Sequence, residues 1–211
     1  MPEGLRERKR TAAMLRIQTA ALDMFEARGF DEVTIEEIAE TSDVSPSSVY
    51  RYFGTKEAIV LWDEFDPALA EHAARAMAHE VPLVGLREEI EATLATLTPA
   101  DEQRVVRRLR LAASHPALEQ ATVAHAHAAA MVIEQVLARQ LGRPVADLEV
   151  QVFAHALTGG FLGMFHHWQG TGFAEPMREV VARTFEIFTE GLDIVTASGS
   201  ARDAGRDHPG P

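Results

Sequence analysis

The chain has 211 residues, 46% of them apolar and 25% charged, with a net charge of −12 and no cysteine. That length buries a substantial core in one large domain or in a small one fused to a larger one. Without cysteine there can be no disulfide, thiolate nucleophile or cysteine-based zinc site, and the acidic balance argues against a protein that coats nucleic acid through a general basic surface. The first ten residues, MPEGLRERKR, are charged and lead into an amphipathic helix, not an apolar signal segment. The longest apolar run, near 156–165, is too short and too glycine-rich to span a bilayer, so a cytoplasmic protein without a membrane partner is expected.

Any basic footprint must therefore be local. Arg6, Arg8, Lys9 and Arg10 form a basic arm before a first helix expected over Thr11–Arg28, where Met14, Ile17, Ala21, Met24 and Phe25 recur at helical spacing and Gly29 can end the run. The stretch 34–57, TIEEIAETSDVSPSSVYRYFGTKE, carries the densest signals. Thr34 followed by Glu37 is a capping box, with Val33 and Ile38 placed to staple it. Ser45 followed by Pro46 marks a second helix start, stapled by Val44 and Val49. Between them Ser42-Asp43-Val44 must turn sharply, and Asp43 tolerates the left-handed backbone that such a turn asks for. Ile38, Ala39, Val44 and Val49 let the two helices touch, which leaves Ser47, Ser48 and Arg51 on the polar face of the second. Small hydroxyls at a helix N-terminus suit close approach to base edges and phosphates.

This segment resembles the DNA-binding segment of the TetR family of bacterial transcriptional regulators. Ser45, Tyr50, Tyr52, Phe53, Lys56 and Glu57 match the family's pattern of a Ser-capped recognition helix, aromatic, any residue, aromatic, Phe and a Lys-Glu that opens the fourth helix. Ser42-Asp43 departs from it, standing where the family more often has Ala-Gly. The resemblance implies that Tyr50, Tyr52 and Lys56 hold phosphates while Ser45, Ser47 and Ser48 approach bases, with Thr34, Pro46 and Arg51 completing the DNA-binding set. It also implies an all-α fold of about nine helices: a helix-turn-helix head over 1–56, an effector-binding and dimerisation body over 57–197, and a disordered tail over 198–211.

Past Gly54-Thr55 the pattern supports a long fourth helix toward His79, kinked or divided at Asp66-Pro67. Five further helices follow between clear breaks: after Pro82–Gly85 to Leu97, from Thr98-Pro99 to Ser114, from His115-Pro116 to Leu141, over 146–169 and over 176–196. The stretch 150–168 leaves almost no polar face, so burial on more than one side is expected. Ala156, Gly159, Gly160 and Gly163 would let another backbone approach. With the stripe of Met177, Val181, Phe185, Phe188, Leu192 and Val195, these helices suit the homodimeric four-helix bundle that the family builds, and hence a near-palindromic double-stranded operator.

Trp62, Phe65, Leu111, His127, Met131, Phe161, Phe165 and Trp168 are the candidates for an effector pocket, being large and on helices expected to surround it. Arg104, Arg107 and Arg108 share a face, either as a solvated stripe or as a site for an anionic ligand such as an acyl thioester with its nucleotide phosphates. The Arg-rich helix, His-Pro break and Ala-rich helix of 100–140 are similar to family members that sense acyl-type ligands. The rival reading is a hydrolase or metal enzyme in the histidine-rich body. It finds no His-x-x-x-His pair among His125, His127, His155, His166 and His167, and there is no phosphate loop or dinucleotide glycine pattern. No catalytic residue, metal or cofactor is implied.

Overall fold

A computed structural model describes residues 4–63 and 69–191 and places ten helices and no strand among them. The first, α1 (Leu5–Arg28), starts six residues before the expected position. Leu5 to Arg10 are all good helix formers with no breaker after Gly4, so the expected arm continues the helix. Arg6, Arg8, Lys9 and Arg10 are exposed on its opening turns.

The double start signal of the head is realised. In α2 (Ile35–Thr41) the Thr34 hydroxyl accepts from the Glu37 amide, and the Glu37 carboxylate accepts from the Thr34 amide at 2.9 Å. In α3 (Pro46–Phe53) Ser45 accepts from the Ser48 amide behind Pro46 at the first helical position. Asp43 adopts φ 54°, and the turn is closed by the Val44 amide on the Ala39 carbonyl and by the buried Ser42 hydroxyl on the Ile38 carbonyl. The Arg28 guanidinium, followed by the Thr34 amide, holds the Glu37 carboxyl down from its ordinary 4.5 to about 2. A depressed carboxylate stabilises the fold above its unfolded pKa and loses that contribution as pH falls through the folded value. Glu37→Gln is therefore expected to flatten the acid limb of the helical circular dichroism between about pH 4.5 and 2; an unchanged limb would show that the box does not contribute.

The fourth helix is not long. Helix α4 (Lys56–Leu61), capped by Thr55, ends where Trp62 turns extended at ψ 128°, and α5 begins at Leu69 and runs to Met77. This division accounts for ten helices in place of nine; Phe65, Asp66 and Pro67 lie outside the described residues. The terminal carbonyls of α4 are not left to water. Gln18 donates to Ile59 and Trp62 at 2.8 and 2.7 Å, and Arg108 donates to Trp62 at 2.5 Å.

Helix α6 (Pro82–Thr96) contains Gly85, which the sequence suggested as a preceding break. Its role is packing: a Cβ there would stand 2.4 Å from the Ala76 carbonyl oxygen and 2.7 Å from His79 Cβ. Backbone cannot yield as a side-chain tip can, so Gly85→Ala is expected to cost about 1–3 kcal/mol by wedging α5 from α6. Chemical denaturation checks this, and wild-type stability would mean that the α5–α6 spacing is elastic.

The remainder follows the punctuation of the sequence: α7 (Pro99–Ala112), α8 (Pro116–Leu141), α9 (Leu148–Gly170) and α10 (Met177–Glu190). Helix α10 stops at Glu190 because Gly191 turns to φ 88°, short of the expected 196; Leu192, Val195 and the expected tail lie outside the described residues. One core cluster joins Phe25, Val33, Ile38 and Val49 of the head to Ile59, Leu111, Leu118 and Phe165 of the body. A second centres on Met77, Leu137 and Val150, and a third on Ile133, Ala154 and Leu157. Helix α9 buries Val150, Ala154, Leu157, Phe165 and Trp168 within the chain but leaves Val152, Ala156, Gly159 and Gly163 exposed. Its 23 residues exceed the apolar run seen in the sequence, so by length and hydropathy alone it could cross a membrane. That is a property shared by core helices of ordinary globular proteins.

Candidate functional site

The outward surface of the head is built by α3. Val49 is fully buried and Phe53 packs against the core, while Ser45, Pro46, Ser47, Tyr50 and Arg51 are exposed. Tyr50 keeps 49% of its surface in solvent. The hydroxyls form a small network in which Ser45 Oγ lies 2.9 Å from both Ser47 Oγ and Ser48 Oγ, and Arg51 donates to Ser48 Oγ at 3.2 Å. Arg51 also sits 5.0 Å over the Tyr52 ring, which itself packs against the core. The network holds the three hydroxyls and Arg51 together on the exposed face of α3. Thr34 is exposed, with its side chain engaged in the capping box.

Lys56 stands apart from the other expected DNA contacts. Its ammonium donates to the Phe30 and Val33 carbonyls at 2.8 and 2.9 Å and lies 4.6 Å over the Phe30 ring. Two of its three donors thus tie α4 to the loop between α1 and α2, which makes it first a brace of the head.

The expected arginine stripe is not a solvated face or an open anion site. Arg108 is only 9% exposed and pairs with Asp63 at 2.5 Å as well as with the Trp62 carbonyl. Arg107 bridges Asp23 and Glu26 of α1, each at 2.5 Å, and Arg104 meets Asp101 at 3.1 Å. Their charges are spent in tying α7 to the head and to its own first turn.

The residues expected to form an effector pocket are dispersed through the packing, apart from Phe65, which lies outside the described residues. Leu111 is in the head–body core, and Trp62 sits edge-on to Phe53. Trp168 is buried, with its indole donating to the Glu175 carbonyl at 2.9 Å, and Phe165 packs beside Phe173. Phe161 is locked between Phe185 and Phe188. His127 and Met131 lie on the exposed face of α8, because the helix turns Ala130, Ile133, Leu137 and Ala138 inward instead. None of these lines the cavity; large rings were absorbed by the packing that their size favours.

A cavity of about 230 Å³ lies among α5, α6, α8 and α9, walled by Leu69, Ala73, Met77, Leu86, Ile90, Leu94, Ile133 and Leu157. Asp63, His72, Glu89 and Thr93 supply its polar atoms. Arg75 grips Glu89 through two hydrogen bonds of 2.9 and 2.8 Å, and His72 Nδ1 lies 2.8 Å from the same carboxylate. Glu89 is accordingly held below the ordinary carboxylate range, Arg75 being the larger cause. Spacing could have revealed this wall, since Leu86, Ile90, Thr93 and Leu94 share one face of α6, as do Leu69, Ala73 and Met77 on α5.

The histidines assemble only in part. His127 stacks on His155 at 5.5 Å, and His155 Nε2 lies 3.0 Å from Glu134 Oε1. That approach is out of line for a hydrogen bond, so the Glu134 oxygen, on a residue only 2% exposed, accepts none among the described residues. No group of three or more His, Cys, Asp or Glu among them is disposed to hold a metal ion.

Residues 17–61 match the family model for bacterial regulatory proteins of the tetR family, and residues 80–193 match the model for the MftR C-terminal domain. The transcriptional regulator MftR of Mycobacterium tuberculosis is 25% identical over 190 residues, 88% of this chain and 94% of its own length. Among solved structures, NalD, the secondary repressor of the MexAB-OprM multidrug efflux pump in Pseudomonas aeruginosa, has a TM-score of 0.54 at 18% identity over 85% of this chain and 96% of its own. Thermus thermophilus FadR in complex with lauroyl-CoA has a TM-score of 0.50 at 24% identity over 94% and 98%. These two structural likenesses concern the fold.

Proposed function

Because the chain belongs to the TetR family and is a DNA-binding transcriptional regulator, we propose that it acts as a cytoplasmic homodimeric repressor, released from a near-palindromic operator by a small hydrophobic effector. The observation that carries this reading is the outward face of α3, where Ser45, Pro46, Ser47, Tyr50 and Arg51 are exposed around a capped helix N-terminus. In the proposed complex Ser45, Ser47 and Ser48 approach base edges while Tyr50 and Arg51 hold phosphates. Tyr52 and Thr34 support that surface, and Lys56 has one ammonium donor left for a phosphate beyond its two internal bonds. The exposed Arg6, Arg8, Lys9 and Arg10 on the first turns of α1 work against the helix dipole, a conflict that neighbouring phosphates would relieve.

Dimerisation is supported by the uncovered face of α9. Val152 is 56% exposed and Ile187 of α10 is 49% exposed, and at Gly159 and Gly163 an added Cβ would meet nothing within 4 Å. A second copy of α9 and α10 packed there makes a four-helix bundle, and the two-fold axis sets the recognition helices about 34 Å apart. The effector enters the cavity among α5, α6, α8 and α9. FadR, with its bound lauroyl-CoA, supports an acyl thioester as one such effector. Effector binding favours head spacings that no longer fit the operator, which requires different affinities for the two states.

The test is a mobility shift of the purified protein on its own upstream intergenic DNA against a scrambled duplex at about 0.15 M salt, where non-specific contacts are weakened. Selective retardation by two chains per duplex is expected. Equal affinity for both duplexes would overturn the reading in favour of a sequence-indifferent architectural protein.

A further inference from the structure

We infer that the interior of the body cavity takes an uncharged aliphatic chain ending in a hydroxyl or carbonyl and excludes a carboxylate. This rests on the reading of that cavity as the effector site. The wall is aliphatic: Leu69, Met77, Leu86, Ile90, Leu94 and Leu157 face it, with no Phe, Tyr or Trp among the described lining residues. A flat aromatic ligand would find no Phe, Tyr or Trp to stack on among the described lining residues, whereas a flexible chain can fill an irregular aliphatic space. Scaled from a cavity of about 150 Å³ that binds benzene, this volume holds a chain of roughly nine carbons.

The polar atoms set the charge of the ligand. Asp63 and Glu89 line the cavity, while the arginines paired with them, Arg108 and Arg75, do not. Arg75 lies on the outer side of Glu89 with 52% of its side chain in solvent. A ligand carboxylate inside would lie beside two acidic residues with no Arg or Lys among the described lining residues, a charge taken out of water next to its own sign. A hydroxyl or carbonyl meets a different environment. Thr93 donates its proton to the Glu89 carbonyl at 2.9 Å, so its oxygen can accept from a ligand hydroxyl. His72 has Nδ1 engaged with Glu89 and Arg75, while Nε2 makes no hydrogen bond among the described residues and can meet the same head group. An acyl thioester satisfies these conditions through its neutral carbonyl if its nucleotide remains outside; a short fatty acid enclosed by the cavity does not.

Calorimetric titration of the full-length protein, without DNA, with 1-nonanol and with nonanoate at pH 7.5 tests the inference. We expect 1-nonanol to bind tighter by about tenfold or more, the consequence of bringing a charged group out of water beside two acidic residues. In Glu89→Gln the Arg75 guanidinium loses its anionic partner beside the cavity, and the preference for nonanol over nonanoate should shrink by about fivefold. Ile90→Trp, which fills the space, should weaken nonanol binding by about tenfold or more; its circular dichroism melt establishes that it folds, and the Glu89→Gln arm decides the matter if it does not. Equal or tighter binding of nonanoate to the wild type, an unchanged preference in Glu89→Gln, or undiminished nonanol binding in folded Ile90→Trp would overturn the inference. Failure here would leave selective operator binding untouched, whereas failure of the mobility shift would leave these affinities unchanged, so the two readings fall separately.

Discussion

Arg108→Met is expected to yield a protein that still binds operator and effector but no longer couples them, and whose fold is weaker by about 2–3 kcal/mol. Breaking a buried ion pair by removing one partner costs about 3–5 kcal/mol; Asp63, at 30% side-chain exposure, retains some water, which lowers the expectation. With the cavity proposed as the effector site, coupling is expected to be lost because Arg108 stands between that cavity and the head. On one side it pairs with Asp63, which lines the cavity, and on the other it donates to the Trp62 carbonyl at the end of α4. That carbonyl also accepts from Gln18 of α1, which holds the Ile59 carbonyl too. A ligand that displaces Asp63 therefore alters how the end of α4 is held against the head. The decisive quantity is the ratio of operator affinities with and without saturating effector, which measures coupling independently of either affinity. A wild-type ratio in a measurably destabilised Arg108→Met would reduce the clasp to a structural element.

The second large effect separates two residues of one family motif. Lys56→Ala should destabilise the protein by about 2–3 kcal/mol, since it strips a charged donor from two carbonyls and a cation from the face of Phe30. Tyr50→Ala removes a half-exposed ring that has no structural burden, and surface changes of this kind stay within about 0.5 kcal/mol. Its loss should instead weaken operator binding by about tenfold, one phosphate contact with its positioning effect. Urea denaturation and mobility shift, run on both variants, give opposite rankings if the assignment is right. A stable Lys56→Ala with weakened DNA binding would return Lys56 to the phosphate-binding set.

The head was legible because its signals are local. Thr34 with Glu37, Ser45 with Pro46 and Asp43 in the turn each act over four residues or fewer, where hydrogen-bond geometry is dictated by chain connectivity. The same holds for the later helix starts at Thr98-Pro99 and His115-Pro116. Where a residue could serve two purposes, local reading chose wrongly. Gly85 looked like a break and is a contact; Leu5 to Arg10 looked like an arm and are helix.

The sequence by itself determined the all-helical plan, the helix-turn-helix and its exposed face, and the family, since each follows from short-range capping, period and a compact motif. Only the tertiary structure decided where a cavity opens in the body and that Arg108 joins Asp63 to the end of α4. Large aromatic side chains gain most from full burial and so were consumed by the cores, which left the aliphatic stripes of α5 and α6 to wall the open space. The fate of Arg108, some 45 residues from Asp63 in sequence, depended on which helix α7 would pack against. A charged side chain declares its partner only when folding removes the water that would otherwise have served it.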